Sequence, residues 1–334
     1  MNQRARGALL LTALAATIAA APALPAAAAP AHHRTAAITA SADTLHPEGA
    51  AWDAAHGRFL VSSLRHGTVS AVRPDGSVTT LVDDPAVLVS TVGLHVDAAR
   101  NRVLVANGDP GVSLRTAPGG SGHVAGIGAY DLTTGRRLFY TDLAATAADG
   151  GSHLANDLVV GPDGTAYVTD SFAPVVYRVA PDGTAGILVR DSRLAAPQGG
   201  FGLNGIVRQG RTLVVGKYDD GTLWRLPIDH PEQLARVAVG GPADALTGLD
   251  GLLLRPDGTL QGITNHLGGN GATTRVELCS PDGWRTARAT VHPLADPAPT
   301  VLTPGPAGSV YVLDGRIDLL FAGTPVDTFT LYRI

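Results

Sequence analysis

Apolar and polar positions in this chain alternate in short runs, and the runs recur as copies of one unit. Each copy opens on a small or polar residue, continues with an apolar segment, turns, and closes with a second apolar segment. The copies read EGAAWDAAHGRFLVSSL from Glu48, VGLHVDAARNRVLVANG from Val92 and NDLVVGPDGTAYVTDS from Asn156. They continue as NGIVRQGRTLVVGKY from Asn204, DGLLLRPDGTLQGITN from Asp250 and PTVLTPGPAGSVYVLDG from Pro299. Their starts lie 44, 64, 48, 46 and 49 residues apart. Four of these intervals are near the roughly 40–50-residue period of a four-stranded propeller blade.

The turns carry the chemistry a hairpin needs. Pro162-Asp163-Gly164 and Pro256-Asp257-Gly258 combine a fixed negative φ at Pro with Gly where φ turns positive. Third strands are expected at residues 67–72, 175–179 and 222–226, and a fourth at 78–82. No segment beyond the N-terminal stretch has helical periodicity. The pattern predicts an all-β, six-bladed β-propeller over residues 32–334. Residues 35–40 are expected to supply the outer strand that the last blade lacks, covering edges otherwise left unpaired.

Residues 1–31 read differently. Arg4 and Arg6 precede an apolar stretch over residues 7–21, too short for a membrane span, and Ala29-Pro30-Ala31 offers an A-x-A cleavage pattern. This is the grammar of a secretory signal peptide, so the chain is expected to be secreted, with no membrane association after signal removal. Loss of Arg4 and Arg6 takes the formal net charge from −4 to about −6. An acidic chain with no basic stripe argues against nucleic acid as a partner. A small-molecule substrate and a monomeric state are the expectation instead. The single cysteine, Cys279, cannot form an internal disulfide and is expected as a small buried hydrophobe in a strand.

The first residue of each copy should sit at the mouth of the central channel. Those positions hold Glu48, Val92, Asn156, Asn204, Asp250 and Pro299, and four of the six are oxygen donors. Converging carboxylates repel one another and lose hydration unless a cation neutralises them. All-oxygen ligation suits Ca²⁺, Mg²⁺ or Mn²⁺, with Zn²⁺ less favoured because neither His nor Cys occupies the ring. The plainer reading is that Asn-Gly and Asp-Gly dipeptides only mark turns.

The phrases Pro47-Glu48-Gly49-Ala50-Ala51-Trp52-Asp53, Asn156-Asp157-Leu158, Asn204-Gly205-Ile206 and Asp250-Gly251-Leu252 occur in that order. Together they resemble the senescence marker protein, gluconolactonase and luciferin-regenerating enzyme family. The resemblance runs from about His46 to the C-terminus and is weakest over residues 92–124. It implies that Glu48, Asn204 and Asp250 ligate one divalent metal, and that Asn156 contacts substrate or metal-bound water. It also implies that Asp250 is the general base of a metal-dependent hydrolase of a lactone or related ester. Family sugar lactonases carry a substrate-binding Arg just before the accessory Asn; here Ser152-His153-Leu154-Ala155 stands in that place.

Loops after the second strands should flank the same mouth, bringing Arg65, His66, Asn107, Asp109, Asp170, Phe172, Lys217, Tyr218, Asn265, His266, Asp314 and Arg316 near it. Of these, Lys217 and Tyr218 are expected to bind substrate, together with His153 and Asn156, and His46 is also placed to reach in. Residues 108–124, a Gly-rich insertion, fit either a lid or a disordered surface loop. A G-x-G-x-x-G match at residues 200–205 is followed by strand-like sequence rather than a helix, so it is no dinucleotide site. Two further functions remain open: a secreted binding or scaffold propeller with a structural calcium ion, and a strictosidine synthase-like enzyme.

Overall fold

Short β-branched and apolar runs separated by Gly- and Pro-bearing turns build six antiparallel blades around a central channel. A computed structural model describes residues 37–269 and 271–334, all within one compact unit, Thr35–Ile334. The signal peptide expected at residues 1–31 lies outside the described residues.

The first blade consists of strands Ala50–Asp53, Arg58–Val61, Thr68–Val72 and Val78–Asp83, each paired with the next. The following four blades repeat this order, their innermost strands being Ser90–Asp97, Ala155–Val160, Leu203–Gln209 and Leu249–Leu254. The fifth gains an extra outer strand, Ala238–Gly240, which pairs parallel with Thr286–Pro293. The last blade is completed by residues from both ends of the repeat region. Strand Ala37–Ser41 pairs antiparallel with Thr328–Arg333, in register from Ala37 with Tyr332 to Ser41 with Thr328. Ring closure therefore follows the expectation from the sequence.

Closure is held by packing as well as by the ladder. Ile38, Ala40, Phe329 and Leu331 share one buried cluster with Phe59 and Val61 of the first blade. Phe59 stacks tilted against Trp52 at 4.7 Å and against Tyr311 at 4.9 Å. Full burial of a side chain such as Phe59, Val61 or Leu331 contributes roughly 1.5–3 kcal/mol.

Two features depart from the sequence expectation. Among the described residues two short α-helices occur, α1 (Leu143–Ala147) and α2 (Ile317–Phe321), each too short to show a helical period in sequence. Cys279 is exposed, because Thr274, Val276 and Leu278 take the inward positions of its strand and Cys279 falls on the opposite face.

The innermost strands share an irregularity that matters for function. In five blades their register shifts within the first few residues, between Thr91 and Leu94, Ala155 and Leu158, Leu203 and Ile206, Leu249 and Leu252, and Pro299 and Val301. A bulge at this point turns a side chain away from the alternating pattern. It falls on the repeat-opening residues.

Candidate functional site

The channel mouth opens into a cavity of about 230 Å³ that contains Glu48, Asn156, Asn204 and Asp250 together. All four oxygen donors singled out in the sequence thus meet in one place. Val92 joins them as an apolar member, whereas Pro299 does not line the cavity. The innermost strands approach closely enough here that a side chain after the ring residue is excluded. A Cβ on Gly205 would lie 2.5 Å from the Asp250 carbonyl oxygen, and one on Gly49 would strike the Val92 carbonyl.

The third blade breaks this rule. Asp157 occupies the position where four of the other blades have Gly, and its carboxylate enters the channel just below the ring. It accepts hydrogen bonds from the Leu158 N–H at 2.8 Å and the Ile206 N–H at 3.4 Å. The sequence reading missed Asp157, although a carboxylate among glycines was a visible signal.

Three buried carboxylates lie within reach of one another's charge, Glu48 between Asp250 and Asp157. Burial raises Glu48 well above the usual carboxylate range, and the charges of Asp250 and Asp157 push it the same way. Burial lifts Asp250 to about 7, with the amides of Asn265 and Asn204 acting against the shift. Asp157 is likewise lifted to about 7 by burial. The protein side chains leave this charge uncompensated, since no Lys or Arg lines the cavity among the described residues.

Asp250 Oδ2 is held by a relay. The Asn265 Nδ2–H donates to Asp250 Oδ2 at 2.7 Å and to the Pro299 carbonyl at 2.9 Å. Asn265 Oδ1 accepts from the Tyr218 hydroxyl at 2.6 Å, and the Gly268 N–H donates to that hydroxyl at 2.9 Å. Burial keeps the Tyr218 phenol protonated and able to donate. Asp250 Oδ1 and Asn156 Oδ1 are buried without any hydrogen-bond partner. Unpaired buried acceptors are costly, and these two line the same cavity.

These observations fit a divalent cation. The donors are hard oxygens, two of them carboxylates, and the free acceptors face the space a cation would fill. Glu48, Asn204 and Asp250 could hold it, with Asn156 close by. Among the described residues no three His, Cys, Asp or Glu side chains cluster tightly enough to bind a metal without such carboxamides.

Two expected substrate contacts are not brought to the cavity. His153 is buried between two carboxylates, its Nδ1 2.7 Å from Asp170 Oδ2 and its Nε2 2.8 Å from Asp149 Oδ1. Lys217 turns its ammonium to Asp219 at 2.7 Å and Asp220 at 2.9 Å. Both side chains are committed to pairing loops, because a buried charge must find its counter-charge. His46 also stays out of the cavity. Its Nε2 accepts from the Val326 N–H at 3.0 Å and its Nδ1 lies 2.9 Å from the Arg316 carbonyl, tying the first blade to the last. Asn156 and Tyr218 do line the cavity.

The insertion following Gly108 is fastened down. Ser113 Oγ donates to the Val89 carbonyl at 2.6 Å, Arg115 reaches Asp83 at 2.6 Å, and the His153 N–H donates to the Gly122 carbonyl at 2.8 Å. The loop places Pro110 in the cavity lining, which also includes Ile317 and Phe321 of α2. Of the two readings open for this insertion, a disordered surface loop does not fit these contacts.

No family model matches the sequence, and no curated protein matches it. Among solved structures the chain is similar to the major allergen Mala s 1 of Malassezia sympodialis, with a TM-score of 0.71 at 17% identity over 89% of this chain and 95% of that one. It is similar to a gluconolactonase of Xanthomonas campestris, with a TM-score of 0.56 at 19% identity over 90% and 88%. A luciferin-regenerating enzyme gives a TM-score of 0.58 at 12% identity over 89% and 94%. At such identities the likeness carries the six-bladed fold, and residue roles rest on this chain's own geometry.

Proposed function

We propose that this chain is a secreted, monomeric hydrolase of a lactone or related ester, dependent on a divalent cation held by Glu48, Asn204 and Asp250. The observation that carries the proposal is the pair of unpartnered buried acceptors, Asp250 Oδ1 and Asn156 Oδ1, in a cavity whose carboxylates lack any protein cation. Calcium suits the all-oxygen set best, and Mg²⁺ or Mn²⁺ would fit the same donors, with Zn²⁺ less favoured. Similarity in fold to a gluconolactonase and a luciferin-regenerating enzyme agrees with this reading.

When bound, the cation supplies positive charge that polarises the ester carbonyl. Asn265 fixes Asp250 Oδ2 and leaves Oδ1 to the cation site, and the Asp250 carboxylate takes the proton from the attacking water. The water oxygen adds to the carbonyl carbon, the acyl C–O bond breaks, and the proton passes to the departing alkoxide. The product of a lactone is a hydroxy acid. Asn156 orients the reacting group from within the ring, and Tyr218 acts through Asn265 rather than on the substrate's reacting atoms.

Asp250→Ala or Glu48→Gln should abolish turnover while the propeller stays folded, as read by circular dichroism. Full activity in both variants, or after exhaustive chelation, contradicts the proposal. A scaffold with a structural ion is the second reading, favoured by the way the ring joins the first, fourth and fifth blades. In that case chelation lowers thermal stability with no hydrolysis to lose.

A further inference from the structure

The walls of the cavity differ from its floor. Polar groups are confined to the ring and Tyr218, while Pro110, Leu154, Phe201, Leu267, Ile317 and Phe321 form the sides and rim. Phe321 is 47% exposed on the last turn of α2, an unusual position for a large aromatic side chain. Phe201, also in the lining, pairs with Phe172, with ring centroids 5.3 Å apart. No Lys, Arg or His lines the cavity among the described residues, and the one polar side chain in its lining besides the four ring donors is Tyr218, whose hydroxyl is already engaged with Asn265 and Gly268.

A polyhydroxylated ring entering this cavity would bring hydroxyl groups against walls that offer them no partner, and each would lose its hydration uncompensated. An alkyl or other apolar substituent would instead bury against the same walls. We propose that the substrate is an ester or lactone bearing an apolar chain, its carbonyl at the ring and its chain lying between Phe201 and the α2 rim. This rests on the hydrolase reading for the carbonyl end. The apolar preference follows from the walls alone.

Binding separates the two. Calcium-loaded full-length protein is titrated calorimetrically with γ-lactams carrying butyl, hexyl and octyl chains, and with a polyhydroxylated lactam. Lactams share the lactone shape and resist hydrolysis. Affinity should rise about three- to fourfold for each methylene buried, and the polyhydroxylated lactam should bind more weakly than any of them. Phe321→Ser and Phe201→Ser should flatten the dependence on chain length. Ile187→Ser, at an exposed position on the outer strand of the third blade, should leave it intact. A flat response in the wild-type protein, or tighter binding of the hydroxylated ring, overturns the inference. Turnover of the matching lactones reports on the hydrolase reading separately. Chain-length-dependent binding with no turnover would defeat that reading and leave the apolar site standing, whereas turnover favouring hydroxylated lactones would do the reverse.

Discussion

Asn265 donates a 2.7 Å hydrogen bond to Asp250 Oδ2 and so leaves Oδ1 as the carboxylate's free face. One amide thereby decides which oxygen of the only ring aspartate can meet a cation or a water. Asn265→Ala removes that choice without touching the donors themselves. Loss of such an orienting partner typically costs 10–100-fold in metal affinity or activity, and a drop in kcat of about that size is expected here. Steady-state kinetics on a folded variant reads it, and unchanged kcat would mean the relay is incidental.

Gly205 tests how tightly the ring is built. A methyl group there meets the Asp250 carbonyl oxygen at 2.5 Å, and that oxygen is backbone and cannot swing aside. Gly205→Ala should destabilise the fold by about 1–3 kcal/mol and weaken cation binding together, since it displaces a ligand strand. Chemical denaturation and calcium titration of the same variant check both effects.

Ring closure has its own probe. Ile38 lies on the strand that completes the last blade and is 8% exposed within the cluster joining the first and last blades. Ile38→Ala should cost about 2 kcal/mol in denaturant unfolding. A cost near zero would mean that the closing strand contributes nothing to stability.

His153 gives a dependence on pH. Its hydrogen bond to Asp170 raises its pKa above the ordinary 6.5, burial opposes this, and Asp149 adds to it. The protonated form is favoured in the fold, so the contribution is fully present below pH 6.5 and is lost as pH rises through the higher folded value. Tyr177 donates to Asp170 and Arg190 pairs with Asp149, so both border the same carboxylates. His153→Asn should therefore be most destabilising in mild acid, with the gap to wild type narrowing as pH rises. Thermal melts across that range show the narrowing or its absence.

Much of this was legible in the chain. The repeat register announced six blades, and the residue opening each repeat picked out Glu48, Asn156, Asn204 and Asp250 as one cluster, because strand geometry maps repeat position directly onto channel position. Side chains beyond the inner strands were harder. His153 and Lys217 looked available, but Asp149, Asp219 and Asp220 come from loops whose paths no periodicity describes, and Asp170 sits at the very end of its strand. Helix α2 escaped for the related reason that five residues are too few to show a period, yet it supplies Ile317 and Phe321 to the cavity. Cys279 could have been placed correctly from the alternation of Thr274, Val276 and Leu278.

The central claim is that the ring binds a cation and that hydrolysis depends on it. Metal-free protein, prepared by chelation, is titrated with Ca²⁺ while lactone hydrolysis is followed in wild type and in Glu48→Gln. A single saturating site is predicted in the wild type, with turnover rising in step with occupancy, and Glu48→Gln should lose both. Full turnover in the metal-free protein, or an unchanged titration in Glu48→Gln, would contradict the account.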